Sequence, residues 1–244
     1  MRPIAGGLCS ICGERLVSPF AFSAEPCAPE PRASVGEPRC GLCRRLQPPY
    51  VKATAYGSYE SGLRELIHLL KYNQVRPAAS VLGRMLAEAI EDLQPLFAGR
   101  EIFVVPVPLH ARKLRERGFN QSELIARAAL KLKPAAPRLQ LNASVLERRR
   151  ETKSQIGLSR HQRRENMRGA FVVVKPHEVT GRDILVVDDV FTTGTTVSEC
   201  ARILRRAGAS KVYVATVART LRAEPQYAMR ESETEARLAM AAAG

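Results

Sequence analysis

Apolar residues recur along this chain with two periods, which predict helices and buried strands in alternation. The i, i+3, i+4, i+7 spacing of Leu63, Leu66, Ile67 and Leu70 predicts an amphipathic helix that begins at Ser61. Similar patterns predict helices over residues 81–93, 121–132 and 195–207. Short apolar runs predict strands at residues 102–105, 171–174, 184–187 and 212–217, and residues 50–59 are β-prone. This alternation implies an α/β fold around a parallel sheet.

Two loops of unusual composition follow predicted strands. Pro106-Val107-Pro108 follows the strand at 102–105, and its prolines exclude a helix there. The second loop covers residues 188–196 and follows the strand at 184–187. Ligands of parallel sheets bind beyond the carboxyl ends of the strands. We therefore expect both loops to border a ligand site.

The second loop has the composition of a phosphate site. Gly194 permits a turn that a side chain would block, and backbone N–H groups at a helix N-terminus can converge on a phosphate. Four threonines add hydroxyl donors: Thr192, Thr193, Thr195 and Thr196. Asp188 and Asp189 can accept hydrogen bonds from ribose hydroxyls or position Mg²⁺. Capping of a strand or helix by these residues is the simpler alternative.

Five of the six cysteines fall near the start of the chain, and four of them form two C-x2-C pairs: Cys9, Cys12, Cys40 and Cys43. Two such pairs supply the four sulfurs of a structural Zn²⁺ site, and a redox or unmetallated cluster is the alternative. Cys27 is expected to be free, and Cys200 to be a buried small apolar residue. The predicted domains are a zinc-ribbon-like module (1–49), an α/β domain (50–220) and a disordered tail (221–244).

Composition narrows the classes of partner. The net charge of +14 comes from 38 Lys and Arg against 24 Asp and Glu, which favours polyanionic ligands such as nucleic acid or phosphorylated small molecules. A compositional bias towards Arg and Ala would give the same excess. Aromatic residues make up only 5% of the chain, which argues against an aromatic platform for nucleic acid. No apolar run reaches the roughly 18 residues of a membrane helix and no signal peptide is evident, so a cytoplasmic location is expected.

Together, these motifs resemble the ComF family of amidophosphoribosyltransferase-like proteins, which is linked to competence and DNA uptake. The resemblance covers roughly residues 9–219. Besides the cysteine pairs and the loop at 188–196, it rests on Lys71-Tyr72, on residues 105–109 and 117–121, and on an Arg/Gln-rich segment that contains Thr152, Gln155, Arg163 and Asn166. It implies a type I phosphoribosyltransferase fold.

The resemblance also implies roles for individual residues. Asp188 and Asp189 would hold the ribose hydroxyls of 5-phosphoribosyl diphosphate (PRPP) with Mg²⁺, and residues 192–196 its 5-phosphate. The loop at 106–112 would bind pyrophosphate, with Pro106, Val107 and Arg112 as contacts. The basic segment at 148–169, which includes Lys153, would form a flexible catalytic loop. A solvated basic stretch is the alternative for that segment.

Three functions remain open at this point. The first is transfer of a phosphoribosyl group with release of pyrophosphate. The second is a non-catalytic PRPP- or nucleotide-sensing adaptor that engages proteins of the DNA-uptake machinery through the zinc module. Purine phosphoribosyltransferases usually carry an acidic residue where Thr192 stands, which mildly favours this adaptor. Direct DNA contact is the third and weakest, and an oligomer is compatible with all three.

Overall fold

The computed structural model describes residues 7–16, 37–132, 138–151 and 159–221. Cys27, Lys153 and nearly all of the predicted tail lie outside the described residues. Within the described part, no helix is both long and apolar enough to cross a membrane.

The centre of the molecule is a parallel sheet of five strands in the order β1-β7-β6-β2-β3. A separate antiparallel pair consists of β4 and β5. The described strands are β1 (Ala53–Ser58), β2 (Ile102–Pro106), β3 (Leu139–Leu141), β4 (Leu146–Arg148), β5 (Phe171–Val173), β6 (Asp183–Phe191) and β7 (Lys211–Arg219). The chain leaves β2 towards β3 and leaves β6 towards β7, so the crossovers diverge between these two neighbouring strands. Such a divergence opens a crevice at the carboxyl ends of the strands.

Helices cover both faces of the sheet. They are α1 (Gly41–Arg45), α2 (Ser61–Tyr72), α3 (Ala78–Glu91), α4 (Gln94–Phe97), α5 (Ala111–Arg117), α6 (Gln121–Lys131), α7 (Arg160–Met167), α8 (Pro176–Val179) and α9 (Thr195–Arg206). Leu185 and Val187 of β6 pack in one core with α2, α3 and α6. Ile184 and Val186 pack in a second core with α9 and the cysteines. Burial on both faces explains the unbroken apolar run in β6.

The predicted helices and central strands are present, but β6 is longer than its apolar run. The run ends at Val187, whereas β6 continues to Phe191 because β7 pairs with it as far as Arg219. Asp188 and Asp189 therefore lie within the strand, and only residues 192–194 form the turn before α9. The expectation that the loop begins at Asp188 was wrong on this point.

The basic segment also contains regular structure. Arg148 ends β4, and α7 occupies residues 160–167. The Ser159 side chain accepts from the backbone N–H of Gln162, whose side chain in turn accepts from the backbone N–H of Ser159. This capping box starts a helix that has no continuous apolar stripe.

Candidate functional site

The turn between β6 and α9 depends on Gly194. This residue has φ of +74°, and a Cβ placed there would lie 2.5 Å from Cζ of Phe191. Gly194 is the N-cap of α9 and offers no side-chain acceptor to the first turn. The helix therefore begins with N–H groups directed at the loop, which is the arrangement that binds anions. The hydroxyls of Thr193 and Thr195 lie 2.8 Å apart on the same turn.

The two aspartates at the end of β6 have different partners. Oδ1 of Asp188 accepts from Oγ of Ser122 at 2.9 Å and from the backbone N–H of Asp189 at 3.0 Å. Oδ2 of Asp189 lies 2.7 Å from Nζ of Lys71 at the end of α2. The Asp189 side chain is 5% exposed, so this ion pair is largely shielded from solvent.

Burial and the adjacent Asp189 carboxylate raise the pKa of Asp188 to about 7, against the opposing effects of Lys71 and Ser122. Burial disfavours the charged form of Lys71, but the Asp189 carboxylate outweighs it and holds the lysine pKa above its ordinary value. With both carboxyl groups ionised, the acid pair would thus carry more negative charge than Lys71 neutralises. Such a site favours a cation, a proton or hydroxyl donors of a ligand.

Asn120 fixes the loop that follows β2. Its Nδ2 donates to the carbonyl of Val107 at 3.0 Å, and its Oδ1 accepts from the N–H of Ser122 at 3.1 Å. The Val107 N–H donates to the carbonyl of Val187 at 2.9 Å. Asn120 therefore caps α6, positions Ser122 for Asp188 and ties β2 to the site at the end of β6.

An open cleft of about 890 Å³ lies beside these elements. Lys71, which pairs with Asp189, and Thr192 of the turn both line it. Its cationic lining residues are Arg64, Lys71, Arg112, Lys113, Arg117, Arg148 and Arg163, and the carboxylates among the described lining residues are Glu116 and Glu151. The cleft is therefore strongly basic, and it suits a ligand with several negative charges.

Arginines from the basic segment reach this cleft from two directions. Nη1 of Arg163 on α7 lies 3.4 Å from Oγ1 of Thr192. The Arg148 guanidinium lies 5.6 Å from the centroid of the Phe171 ring, and burial lowers its pKa. Arg163 thus approaches the turn before α9, while Arg148 lines the cleft and packs on Phe171.

The other predicted contacts are placed as follows. Arg112 lies in the first turn of α5, lines the cleft and forms ion pairs with Glu116 and Glu151. Pro106 ends β2, and the backbone N–H of the buried Val107 is used within the sheet. Their roles as pyrophosphate contacts stay predictions, as does that of Lys153, which lies outside the described residues.

The four paired cysteines come together on the other side of the turn between β6 and α9. The sulfurs of Cys9, Cys12, Cys40 and Cys43 all lie within 4.8 Å of one another. The Cys12 and Cys40 sulfurs are 3.7 Å apart, close to the separation of about 3.8 Å that tetrahedral Zn–S bonds of about 2.3 Å require. Burial, followed by the neighbouring thiolates, raises the pKa of Cys12 to about 11 despite Arg219. The cluster therefore fits a thiophilic cation, while Cys200 is buried separately, as predicted.

Curated proteins with similar sequences align with most of this chain. DNA utilization protein YhgH of Escherichia coli (strain K12) is 33% identical over 221 residues, covering 88% of this chain and 91% of that protein. Competence protein F of Haemophilus influenzae is 30% identical over 215 residues, covering 87% and 90% of the two chains. This chain belongs to the ComF family.

A domain comparison agrees with this membership. Residues 132–238 of this ComF chain match the phosphoribosyl transferase domain family. A structure of glutamine PRPP amidotransferase from B. subtilis overlaps at 23% identity with a TM-score of 0.36, covering 58% of the ComF chain and 26% of the enzyme. The phosphoribosyltransferase fold rests on the domain match and on the observed parallel sheet.

The sequence alone assigns no role to two residues of the ComF site. Lys71 belonged to a motif of the resemblance, but nothing in the sequence shows that α2 brings it to Asp189. Arg219 ends β7, where its guanidinium lies 4.3 Å from the Phe191 ring centroid. Both contacts join residues far apart in sequence, and only the strand order reveals them.

Proposed function

We propose that this chain binds PRPP with Mg²⁺ and transfers its phosphoribosyl group to an acceptor with release of pyrophosphate. The observation that carries the proposal is the succession of an acid pair, a glycine turn and a helix N-terminus at the carboxyl end of β6. That succession borders a basic cleft at the point where the sheet crossovers diverge. The ligand that fits it is a sugar with a phosphate at one end and further negative charge at the other.

The 5-phosphate belongs at the turn before α9. The first N–H groups of the helix and the hydroxyls of Thr193 and Thr195 offer donors converging on one anion. The ribose hydroxyls belong at Asp188 and Asp189, whose carboxylates can accept from them. Lys71 neutralises Asp189, which lowers the free-energy cost of burying the acid pair when no ligand is bound.

The donor set also fits Mg²⁺, which prefers carboxylate and phosphate oxygens. The raised pKa of Asp188 supports this assignment, because a bound cation would relieve the repulsion that now favours a proton. When bound, the ion would neutralise charge on the diphosphate.

Pyrophosphate is expected to leave into the basic cleft. The bond between ribose C1 and the diphosphate oxygen breaks with its electron pair on that oxygen, and the acceptor forms the new bond at C1. Arg112, Arg148 and Arg163 line the space where this charge develops. Fixed cations placed at developing negative charge account for much of the rate enhancement in such reactions.

We also propose a structural role for zinc at the four cysteines. Four thiolates leave no open coordination position for a substrate, so the metal would stabilise the fold rather than take part in transfer. One expects a single zinc per chain and loss of cooperative folding around residues 7–16 when the metal is removed.

A second candidate is a PRPP- or nucleotide-sensing adaptor without catalysis. The hydroxyl of Thr192 occupies the position where purine phosphoribosyltransferases usually carry an acid, and a hydroxyl is a poor base for an acceptor proton. The relatives named for competence and DNA utilization fit an adaptor of the DNA-uptake machinery as well as they fit an enzyme.

Calorimetry with Mg²⁺ and PRPP tests the shared first step. The parent protein should bind, and the double variant Asp188→Asn/Asp189→Asn should not. Asp92→Asn, at an exposed position after α3, is the control that removes a carboxylate elsewhere. Absence of binding by the folded, zinc-loaded parent would remove the transferase and a PRPP-sensing adaptor, and would leave an adaptor that recognises a nucleotide.

An assay for released pyrophosphate then separates the two candidates. The acceptors are a panel of nucleobases, amines and single-stranded DNA. Release that depends on one acceptor supports transfer. Tight binding without release from any of them supports the adaptor.

A further inference from the structure

Arg219 contacts both the four-cysteine cluster and the end of β6. It is the last residue of β7 and is 4% exposed. Its Nη2 lies 3.0 Å from Oε2 of Glu14 and 3.8 Å from Sγ of Cys12, and its Nη1 donates to the carbonyl of Cys12. One guanidinium therefore holds both the backbone turn and the sulfur of a cysteine pair.

The same guanidinium also stacks on Phe191, the residue directly before the turn at 192–194, which is called the phosphate turn below. Its carbon lies 4.3 Å from the centroid of the Phe191 ring. That ring fills the space where a side chain at position 194 would stand, since a Cβ on Gly194 would lie 2.5 Å from Cζ of Phe191. The backbone supports the same contact, because the N–H of Thr220 donates to the carbonyl of Phe191 at 3.0 Å.

We propose that Arg219 is a positioning residue that couples the four-cysteine cluster to the phosphate turn. With the guanidinium held by Cys12 and Glu14, Phe191 is fixed beneath Gly194, and the N-terminus of α9 is preorganised for an anion. The inference rests on the proposed phosphate site and adds a residue that touches neither ligand nor metal.

The contact geometry explains why arginine is needed here. A planar guanidinium can stack on an aromatic ring and donate in its own plane at the same time, whereas a lysine ammonium offers a single point of charge. Groups that donate to metal-bound thiolates also orient them and tune their charge. Coupling of this kind is reciprocal, so a ligand at the turn must also affect retention of the metal.

The first test needs no ligand. Hydrogen exchange of the 192–196 amides is compared in the full-length parent, Arg219→Lys and Arg202→Lys. Arg202 is the matched control. Arg202 and Arg219 both line a cavity of about 300 Å³ beside the cysteines, but Arg202 pairs with Glu199 at 2.7 Å. Severalfold faster exchange in Arg219→Lys alone is expected. Equal exchange in all three proteins would overturn the proposal.

If Arg219→Lys does not fold, Phe191→Leu replaces it. That variant removes the ring on which the guanidinium stacks and leaves the bonds to Cys12 and Glu14 in place. Faster exchange at residues 192–196, with zinc content unchanged, supports the coupling. Exchange equal to that of the parent overturns it.

The second test measures the coupling directly. Zinc transfer to a chromogenic chelator is timed with and without saturating ribose 5-phosphate. The parent and Arg202→Lys should lose zinc severalfold more slowly with the sugar phosphate, and in Arg219→Lys the ratio should fall to about one. An unchanged ratio in Arg219→Lys overturns the proposal. Failure of the parent to bind ribose 5-phosphate by calorimetry counts instead against the proposed function, and the exchange experiment then decides the role of Arg219.

Discussion

Replacing Asp188 by asparagine should make the protein more stable at neutral pH while it abolishes ligand binding. In the folded protein, burial and the Asp189 carboxylate raise the pKa of Asp188 from its ordinary 3.8 to about 7. The folded state therefore keeps a proton that the unfolded chain loses. A neutral amide of nearly the same shape removes that cost, and it also removes an acceptor for the ribose hydroxyls.

The sign and size follow from proton linkage. Because the folded-state pKa is the higher one, stability falls as pH rises from about 4 to about 7 and levels off above that. Each pH unit in this window costs about 1.4 kcal/mol. Because the folded protein already loses part of this proton near pH 7, the advantage of Asp188→Asn over the parent should grow by about 2 kcal/mol between about pH 5 and pH 7.

Urea unfolding of the two proteins at both pH values measures this difference. Asp92→Asn serves as the control for loss of one carboxylate, and its difference from the parent should not change with pH in this way. Calorimetry on the same samples should show loss of binding for Mg²⁺ and PRPP in Asp188→Asn. If the stability difference were the same at both pH values, Asp188 would be ionised throughout, and the argument from burial and charge repulsion would be refuted.

Three further substitutions test other parts of the site. Gly194→Ala should weaken ribose 5-phosphate binding at least tenfold by calorimetry, because the new Cβ meets Phe191 at 2.5 Å and the left-handed backbone costs an additional ~1–2 kcal/mol. Gly83→Ala, where a Cβ would lie 2.5 Å from a side chain of α6, should lower the free energy of unfolding by about 1–3 kcal/mol while the folded protein binds normally. Lys71→Met should lower the free energy of unfolding by about 3 kcal/mol at neutral pH, because Asp189 loses its ion-pair partner.

A specific result would contradict each of these three predictions. Normal affinity in Gly194→Ala would show that the turn adapts to a side chain. Parent-like stability in Gly83→Ala would mean that α3 and α6 can separate at no cost. For Lys71→Met, Lys71→Arg is the control that retains charge, and equal losses in both variants would assign the effect to packing rather than to the ion pair.

The sequence predicted the central part of the fold because burial dictates it. The strand at Ile184 and the helix at Leu63 are visible as apolar runs and helical spacing. The continuation of β6 through Asp188 and Asp189 is not visible, because their polarity signals the end of a strand and the pairing with β7 is a tertiary effect. Helix α7 has a local signal in its capping box, but a basic segment without an apolar stripe conceals it.

The site could be predicted in part for the same reason. The Asp and Thr residues around Gly194 are contiguous, so their spacing carries the information. Lys71 and Arg219 act across the sheet, and their partners become known only with the strand order. The four cysteines were found because each pair is local and two pairs make one tetrahedral set.

Because the chain is made from its N-terminus, β1 and the cysteine turn are made early but gain their contacts with β7 late. Ala53 of β1 pairs with Val214 of β7, and the cysteine turn rests on Arg219. A nascent chain on the ribosome therefore displays reduced thiols and an unpaired strand until some 160 further residues have been made. Chains released before Arg219 would lack the guanidinium that holds the carbonyl of Cys12 in the finished fold.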